Sequence, residues 1–327
     1  MKKSGVDIIL PNRIGDAVMT LPVIVCLKQL IESGDKSFKV KLLCIPALIK
    51  LFKALNLFDV EELNPYAKVK SWLNPADKAF FLETTSKNLG YHAKKTYGLS
   101  NPSKKLIKYS AETSYLHFDQ TEEVLSKELS DFLRTQYDLS WCSIRYFGVC
   151  LDLGFSVEEI QKIFNFSPDF LSFNEEFYNY SPVFLKGSYL VFCMEAAYGK
   201  KGDSDRRWDD KYYFELAEKA YNHFNIDSVF VGIDNKNSIP DRPYFKDLRK
   251  KLDILELAQL LYRSKCYIGN DTGPLHIANL VKIPSIGIYF RANSLVDYSP
   301  IFPQFNIKIF NPGKSDDIFE VLEQMVK

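Results

Sequence analysis

The sequence is poor in the residues that build metal centres and disulfide frameworks. Among its 327 residues there are only four histidines and six cysteines. The cysteines form no C-x-x-C pair and no cluster with histidine; they are Cys26, Cys44, Cys142, Cys150, Cys193 and Cys266. This scatter argues against a zinc site and a disulfide scaffold, and it predicts buried, reduced thiols in a cytoplasmic protein. We also expect no metal or other cofactor.

The sequence also lacks a marked excess of either charge sign, and it has no long apolar run. The 42 basic and 41 acidic residues give a net charge of +1, so there is no general case for nucleic-acid binding. Any binding of anions must therefore be local. Residues 1–5 are followed by only a short apolar stretch, which predicts a first strand rather than a signal peptide. No run approaches the ~20 apolar residues of a membrane span.

What the sequence does contain is an alternation of short apolar runs and helical patterns. The apolar runs predict strands at 6–10, 38–44, 58–62, 79–82, 189–194, 228–231, 266–268, 283–289 and 307–310. Helical spacing predicts helices at 17–31, 47–55, 122–134, 141–153, 208–224, 255–262 and 316–325. This alternation is typical of doubly wound parallel α/β sheets. The length suits two domains, and the pattern restarts after a predicted linker at 181–187.

Two segments have alternative interpretations. The basic stretch at 87–108 is typical of a solvated surface loop, and a site for an anionic acceptor is the less favoured alternative. Four phenylalanines recur at helical spacing, which predicts an apolar stripe in a core or a domain interface. They are Phe166, Phe170, Phe173 and Phe177. An aromatic platform for a sugar is the alternative there.

The stretch IGNDTGPLHIAN at 268–279 carries the strongest chemical signal. A β-leaning run enters a polar turn that opens a helix, and a helix N-terminus binds anions through its N–H groups and its dipole. Asp271 or Thr272 can cap this helix, and Gly273 lets a ligand approach the backbone. His276 lies one turn further along. The alternative is an ordinary capped junction between strand and helix.

Three polar loops follow predicted strands, at 13–16, 196–207 and 270–276. Ligands of parallel sheets bind beyond the carboxyl ends of strands, so these loops converge on a cleft if two such sheets face one another. Asp16 would be a carboxylate base. The second loop offers the cations Lys200, Lys201, Arg206 and Arg207. A base for the acceptor and a cradle for a diphosphate are what group transfer from a diphosphate-linked donor needs.

Three motifs, in this order, resemble those of glycosyltransferase family 9, the heptosyltransferases of lipopolysaccharide inner-core synthesis. RIGDAVMTLP at 13–22 is similar to the N-terminal signature of that family, and NDTGPLHIA at 270–278 to its C-terminal signature. Arg206 and Trp208 stand where the family has a Lys-x-Trp motif. The resemblance implies a GT-B fold, with two Rossmann-like domains facing across a cleft. We expect an acceptor-side domain at 1–182, a nucleotide-sugar domain at 183–312 and a closing helix at 313–327.

The resemblance also implies roles for individual residues. Asp16 is expected to be the general base on the acceptor hydroxyl, and Asp271 to contact the donor sugar. Thr272 and Gly273 are expected to hold the diphosphate through their amides. Further donor-side candidates are His276, Arg206 in place of the family's lysine, and Asp234 as a ribose contact. Candidates on the acceptor or phosphate side are Arg13, Gly15, Lys200 and Lys201.

The activity implied by this resemblance is an inverting, metal-independent glycosyl transfer. ADP-heptose is the expected donor, and a lipid-A-linked core or another surface glycan is the expected acceptor. The family also implies a cytoplasmic location with peripheral contact to the inner membrane. Arg206 and Arg291 depart from the family pattern, which leaves the donor sugar open.

Two other functions are compatible with the same fold. A sugar-nucleotide epimerase or hydrolase would need further acid–base groups, and the four histidines His92, His117, His223 and His276 provide no convincing set. A catalytically silent homologue could bind glycan or a partner enzyme. The presence of Asp16 argues against silence, because a protein without activity has no need of the base.

Overall fold

The computed structural model describes residues 3–34, 36–82, 93–98, 125–179, 187–196, 207–233, 237–292 and 294–326. Contacts divide the chain into two compact units, 1–174 and 175–327, each with one parallel sheet. The first residues of unit 2 are held to the rest of that unit by Gln259, whose Nε2 donates to Phe177 O at 3.2 Å. The predicted boundary between 182 and 183 stays a prediction, because 180–186 lie outside the described residues.

Unit 1 contains five described strands: β1 (Ser4–Ile9), β2 (Phe38–Cys44), β3 (Asp59–Glu62), β4 (Ala76–Phe81) and β5 (Ala93–Gly98). Their order is β3-β2-β1-β4-β5, and every neighbouring pair is parallel. Val6 of the central strand β1 lies beside Val40 of β2 and Lys78 of β4. The apolar run of β1 is buried on both sides, which is typical of the centre of a parallel sheet. The first four strands confirm the prediction.

The strand β5 lies inside the basic stretch that was predicted to be a surface loop, so that prediction is wrong for 93–98. β5 pairs with β4 at the end of the sheet. A lysine-rich sequence suits such a position, because charge on an edge strand opposes pairing with another chain. Lys94 is exposed, and its Nζ lies 2.5 Å from Oδ1 of Asp77 in β4. The rest of the basic stretch lies outside the described residues.

The helices of unit 1 are α1 (Ile14–Val18), α2 (Leu21–Ser33), α3 (Pro46–Ala54), α4 (Pro65–Leu73), α5 (Lys127–Tyr137), α6 (Trp141–Ile144), α7 (Gly148–Asp152) and α8 (Val157–Ile163). The prediction of one continuous helix over 17–31 is wrong, because the chain turns at Thr20 between α1 and α2. Thr20 Oγ1 donates to Ala17 O at 2.7 Å. Pro22 has no N–H with which to continue the α-helical ladder.

Two other predicted helical segments are also interrupted. A 3₁₀ turn at Arg145–Phe147 separates α6 from α7. The four phenylalanines expected on one helix are divided between a 3₁₀ turn at Pro168–Phe170, an extended segment and a short helix, α9 (Glu175–Asn179). Proline disfavours helical backbone at the residue before it, so Pro168 prevents a helix from running through. Phe170 is exposed while the other three phenylalanines are buried, so the predicted core position is confirmed for three of the four.

One stretch of the described residues, 14–33, is long and apolar enough to cross a membrane by length and composition alone. It comprises α1 and α2. Most of its side chains are buried inside unit 1, where α2 packs against α6, α7 and α8. Its apolar side chains therefore belong to the protein core.

Unit 2 contains six described strands: β6 (Tyr189–Cys193), β7 (Asp227–Phe230), β8 (Phe245–Asp247), β9 (Cys266–Asn270), β10 (Ser285–Tyr289) and β11 (Asn306–Phe310). Their order is β11-β10-β9-β6-β7-β8, again with every neighbouring pair parallel. The five strands predicted for this half are confirmed. The strand that was not predicted, β8, has only three residues and no apolar run.

The helices of unit 2 after α9 are α10 (Asp210–Phe224), α11 (Ile254–Tyr262), α12 (Gly273–Leu280), α13 (Ser294–Asp297) and α14 (Ser315–Val326). The predicted C-terminal helix is α14, which packs against α10. Lys219 Nζ donates to Ser315 Oγ at 3.0 Å, and His223 Nε2 lies 3.3 Å from Glu323 Oε1. The prediction of two Rossmann-like α/β units is thus confirmed.

Candidate active site

In both units the candidate residues follow a strand at which the strand order changes direction. In unit 1, β2 and β3 lie on one side of β1, and the chain then returns to place β4 on the other side. In unit 2, β7 and β8 lie on one side of β6, and β9 lies on the other. Open α/β sheets bind ligands beyond the carboxyl ends of the strands at such a point. Asp16 follows β1 and Asp271 follows β9, so each lies at the switch point of its own unit.

The buried side chain of Asn270 ties together the loops at the carboxyl edge of unit 2. Its Oδ1 accepts from Trp208 N at 3.1 Å, and its Nδ2 donates to Met194 O at 3.0 Å and Glu195 O at 3.2 Å. Trp208 is itself buried, and its Nε1 donates to Pro312 O at 3.2 Å. One carboxamide therefore fixes the end of β9 relative to the chain that leaves β6 and the chain that enters α10.

Helix α12 begins directly behind this anchor, with Thr272 at the position before its first turn. Of the two predicted caps, Asp271 and Thr272, it is Thr272 that occupies the N-cap position, but its side chain makes no hydrogen bond to the first turn; Oγ1 donates to Asn270 O at 3.2 Å. Pro274 has no N–H, and the Leu275 amide donates to Thr272 O at 3.0 Å. The Gly273 amide and the positive end of the helix dipole are therefore the groups with which α12 can attract an anion.

His276 and Asp271 are a buried pair beside the start of α12. His276 Nε2 lies 4.0 Å from Asp271 Oδ1, and only 4% and 9% of the two side chains are exposed. Burial lowers the pKa of His276 to about 4, so its imidazole is neutral at pH 7. Within the described part of the chain, its Nδ1 has no hydrogen-bond partner. The structure thus brings two predicted donor-side residues together, with the histidine uncharged.

Glu195 is a carboxylate at this edge that the sequence interpretation missed. It follows β6, and its Oε2 accepts from Ile233 N at 2.9 Å in the turn after β7. The carboxylate packs against Gly232, whose φ of +147° and missing Cβ make room for it. One side chain therefore joins the ends of two adjacent strands. The signal that pointed to Asp16, a carboxylate just after a central strand, could have found Glu195 as well.

Four predicted site residues lie outside the described residues: Lys200, Lys201, Arg206 and Asp234. Their roles stay predictions. The adjacent Arg207 is described, and its guanidinium is engaged, since Nη2 donates to Asp210 Oδ2 at 2.7 Å. The same carboxylate oxygen accepts from Asn237 Nδ2 at 2.6 Å. Arg207 therefore secures the start of α10, which begins at Asp210.

Asp16 lies in the first turn of α1, immediately after β1. Gly15 and Asp16 are partly exposed, and Arg13 is exposed. Arg13 precedes the helix, and its carbonyl oxygen accepts from Ala17 N at 2.9 Å. A helix N-terminus favours a negatively charged side chain in its first turn, so the place of Asp16 at the carboxyl edge of unit 1 suits a carboxylate.

Arg145 is a further residue near Asp16 that the sequence interpretation missed. Its Nη2 donates to Tyr146 Oη at 3.0 Å and to Cys142 Sγ at 3.4 Å. Burial disfavours the charged guanidinium, but nearby groups outweigh this effect and raise the pKa of Arg145. Asp16 is one of those groups, after Tyr146 and Cys142. Burial, with a smaller effect of Asp16, also raises the pKa of Cys142 to about 11.

Packing brings this cluster to Asp16. Helices α6 and α7 pack on α2, and Ser140 Oγ donates to Met19 Sδ at 3.9 Å in the turn after α1. The sequence held a signal for it, because Arg145 is the single charged residue in the run 141–151. A charge in a buried apolar segment requires a partner. The partner itself could not be identified from the sequence.

The sequence also leads to predictions about the cysteines and the possible metal ligands. All six cysteines are buried and free, as predicted. In the ranges described above, no group of three or more His, Cys, Asp or Glu side chains could hold a metal ion.

A protein-family model matches residues 144–308, half of the chain, and its description is glycosyltransferase family 9 (heptosyltransferase). The chain belongs to this family. The predicted family is confirmed, and the protein is a glycosyltransferase; the match includes the motif at 270–278, and the motif at 13–22 lies before it. The match covers the end of β6, the Asn270 anchor and the start of α12. A search of curated protein sequences found no match.

Solved structures extend the likeness to nearly the whole chain of this family 9 protein. The E. coli ADP-heptose LPS heptosyltransferase II has a TM-score of 0.69 and 14% identity, covering 98% of both chains. A family 9 glycosyl transferase from Veillonella parvula DSM 2008 has a TM-score of 0.61 and 15% identity, covering 99% of this chain and 92% of that one. E. coli heptosyltransferase WaaC with ADP has a TM-score of 0.58 and 13% identity, covering 98% and 99%. At these identities the likeness shows the GT-B fold.

Proposed function

We propose that this glycosyltransferase moves heptose from ADP-heptose to a lipopolysaccharide core or another surface glycan, with inversion and without a metal ion. The observation that carries the proposal is the preorganised start of α12. Asn270 holds the loop before it with three hydrogen bonds, so the amides there are in place before a ligand arrives. The names of two neighbouring structures support the donor, because they include ADP-heptose and ADP.

The proposed donor site uses the groups at the carboxyl edge of unit 2. The Thr272 and Gly273 amides donate to the diphosphate, and the dipole of α12 favours its negative charge. Asp271 contacts the donor sugar, with the neutral His276 packed behind it at 4.0 Å. Candidates for cationic contacts to the phosphates are Arg206, Lys200 and Lys201, and Asp234 is the candidate for the ribose.

The proposed reaction is a single displacement with Asp16 as base. Asp16 takes the proton of the acceptor hydroxyl while the acceptor oxygen bonds to the anomeric carbon. The electron pair of the bond between that carbon and the diphosphate leaves with ADP. Attack from the side opposite the leaving group inverts the anomeric configuration. Backbone amides and a guanidinium stabilise the charge on ADP. Arg13 and Gly15 lie beside the base on the acceptor side.

We also propose a cytoplasmic location with peripheral contact to the inner membrane. Six buried, free thiols suit a reducing compartment. A lipid-linked acceptor would be presented at a membrane surface.

The donor is tested by thermal-shift titration of the full chain with ADP-heptose, ADP-glucose, GDP-mannose and UDP-N-acetylglucosamine. We expect the largest stabilisation with ADP-heptose, because a ligand that binds only the folded state raises the midpoint according to its affinity. A larger shift with a uridine or guanosine donor would exclude ADP-heptose as the preferred donor.

Transfer is tested with heptose-deficient lipopolysaccharide as acceptor, by following ADP release and the anomeric signal of the product. We expect an inverted linkage and equal rates with and without EDTA. Retention of configuration would rule out the single displacement, and loss of activity in EDTA would rule out metal independence.

A further inference from the structure

The nine-residue helix α4 has an unusual distribution of apolar side chains. Eleven large apolar side chains are exposed in the described part of the chain, and four of them lie on α4. They are Tyr66 (75% exposed), Val69 (58%), Trp72 (64%) and Leu73 (83%). By contrast, α4 contacts the rest of unit 1 through small side chains, Ala67 and Ser71, of which 7% and 4% are exposed.

Helical geometry separates these two sets into opposite faces. At roughly 100° per residue, the four exposed apolar side chains cover an arc of about 120°, and the two buried small residues lie on the other side of the helix. Lys70 flanks the apolar arc on one side and Lys68 flanks it on the other. The segment 65–73 contains no acidic residue. Its outward face is therefore apolar in the middle and basic at both margins.

The position of α4 is fixed by an N-cap and by packing on the sheet, so unit 1 presents this face in a defined orientation. Asn64 caps its start, where the side chain accepts from Ala67 N at 2.8 Å. Ala67 packs into a buried cluster on the sheet that includes Ile9, Leu43 and Phe81. Lys70 Nζ lies 3.4 Å from Glu61 Oε1 and remains half exposed. The start of α4 also follows the end of β3, so it lies at the carboxyl edge that carries Asp16.

We propose that the outward face of α4 docks unit 1 onto an anionic lipid surface. Tyrosine and tryptophan favour the boundary between headgroups and acyl chains, and leucine and valine favour the acyl region below it. The two lysines at the margins of the face can reach anionic headgroups while their stems cover apolar surface. The location rests on the proposed function, in which the acceptor is lipid-linked, and it would bring the carboxyl edge with Asp16 close to that acceptor.

The size of the face also favours a lipid surface over a second copy of the chain. Its two aromatic side chains expose on the order of 300 Å² together. With Val69 and Leu73 added, the face stays below the ~800 Å² per partner that a stable protein interface buries. A membrane needs no such area, because a helix binds it through a few inserted side chains and the attraction of its lysines.

The test is co-sedimentation of the full chain with vesicles of phosphatidylcholine alone or with about 30% phosphatidylglycerol, an anionic lipid. We expect binding to the anionic vesicles and a shift of Trp72 emission to shorter wavelength. The double substitution Trp72→Ser with Leu73→Ser should weaken binding to the anionic vesicles by about tenfold or more, because it removes two of the inserted side chains. The control Phe310→Ser, which removes a half-exposed apolar side chain in unit 2, should leave binding unchanged.

The lysines give a second, independent measurement. Lys68→Gln and Lys70→Gln should each weaken binding to anionic vesicles about fivefold and leave binding to neutral vesicles unchanged. Transfer to a soluble acceptor should remain at the level of the unsubstituted protein in all these variants. That readout separates the docking surface from the proposed activity.

Three results would overturn the docking proposal: no binding of the unsubstituted chain to anionic vesicles, equal binding of the Trp72/Leu73 variant, or a dimer in solution that this variant abolishes. The last result would assign α4 to contact between copies. Because the apolar side chains concerned are exposed, we expect unchanged thermal midpoints, and a variant that fails to fold is replaced by Val69→Ser, on the same face.

Discussion

The backbone amide of Trp208 donates to the buried carboxamide of Asn270 at 3.1 Å, which connects residues 62 positions apart in the chain. Asn270→Ala removes this bond and the two bonds from Nδ2 to the carbonyls of Met194 and Glu195. We expect unfolding free energy to fall by about 3 kcal/mol, because buried polar groups lose their partners. Urea unfolding measures the change, with the exposed Asn222→Ala as control.

Asn270→Asp discriminates between the hydrogen bonds and the shape of the side chain. It keeps the size but replaces the Nδ2 donor by an oxygen that faces two carbonyl oxygens. We expect it to be at least as destabilising as alanine. A variant as stable as the natural chain would show that the Nδ2 bonds contribute little.

Asp16→Asn should reduce the kcat of sugar transfer by roughly 10²–10⁴-fold, the usual contribution of a general base. The Kd for ADP should stay within about twofold, because the donor groups are assigned to unit 2. Calorimetric ADP binding and initial rates measure the two quantities. Asp59→Asn, an exposed carboxylate on β3, serves as the control. An equal loss of binding and transfer would show that Asp16 is not the base.

Arg145 is predicted to orient Asp16 and to stabilise its negative charge, because Asp16 is one of the groups that raise the pKa of Arg145. Arg145→Met should move the acidic limb of the pH profile of kcat/KM to higher pH, because a nearby cation favours the carboxylate. Arg145→Lys keeps a charge and should shift the limb less. If Arg145→Met lowers the thermal midpoint but leaves the limb in place, its role is structural only.

Stability should fall on acidification because His276 is buried and neutral. Its pKa is lowered from an ordinary value near 6.5 to about 4. Between these values the unfolded chain binds a proton that the folded chain does not, so folding loses free energy as pH falls. We expect a loss of about 2 kcal/mol between pH 7 and pH 5 from this group.

Urea midpoints across this range give the measurement for His276. His276→Gln should flatten the dependence. If His276→Gln retains the full pH dependence, another group is responsible.

The periodic parts of the fold were predictable because they depend on neighbours in sequence. The strand β1 and the helix α3 were placed correctly, since apolar runs and helical spacing report burial directly. The strand β5 was not, because an edge strand with lysines has the composition of a loop. The break at Thr20 was missed although Pro22 marked it, because the apolar pattern continues through it.

The candidate site was predictable only in part. A carboxylate after a strand and a polar turn before a helix are local patterns, so Asp16 and the turn at 271–273 could be selected. The pairing of His276 with Asp271, the hydroxyl of Thr272 turned to Asn270, and the cluster around Arg145 could not. They depend on rotamers and packing that local pattern does not specify.

The sequence by itself determined two parallel α/β units, the family, and the position of the polar turn at 270–276, because each follows from short-range periodicity or from contiguous motifs. Only the tertiary structure decided what holds that turn and what surrounds Asp16. Asn270 reaches Met194 across 76 positions, and the turn after α1 meets Ser140 across 121. Such contacts form when distant segments pack against one another, and no local pattern determines which of many polar side chains will meet.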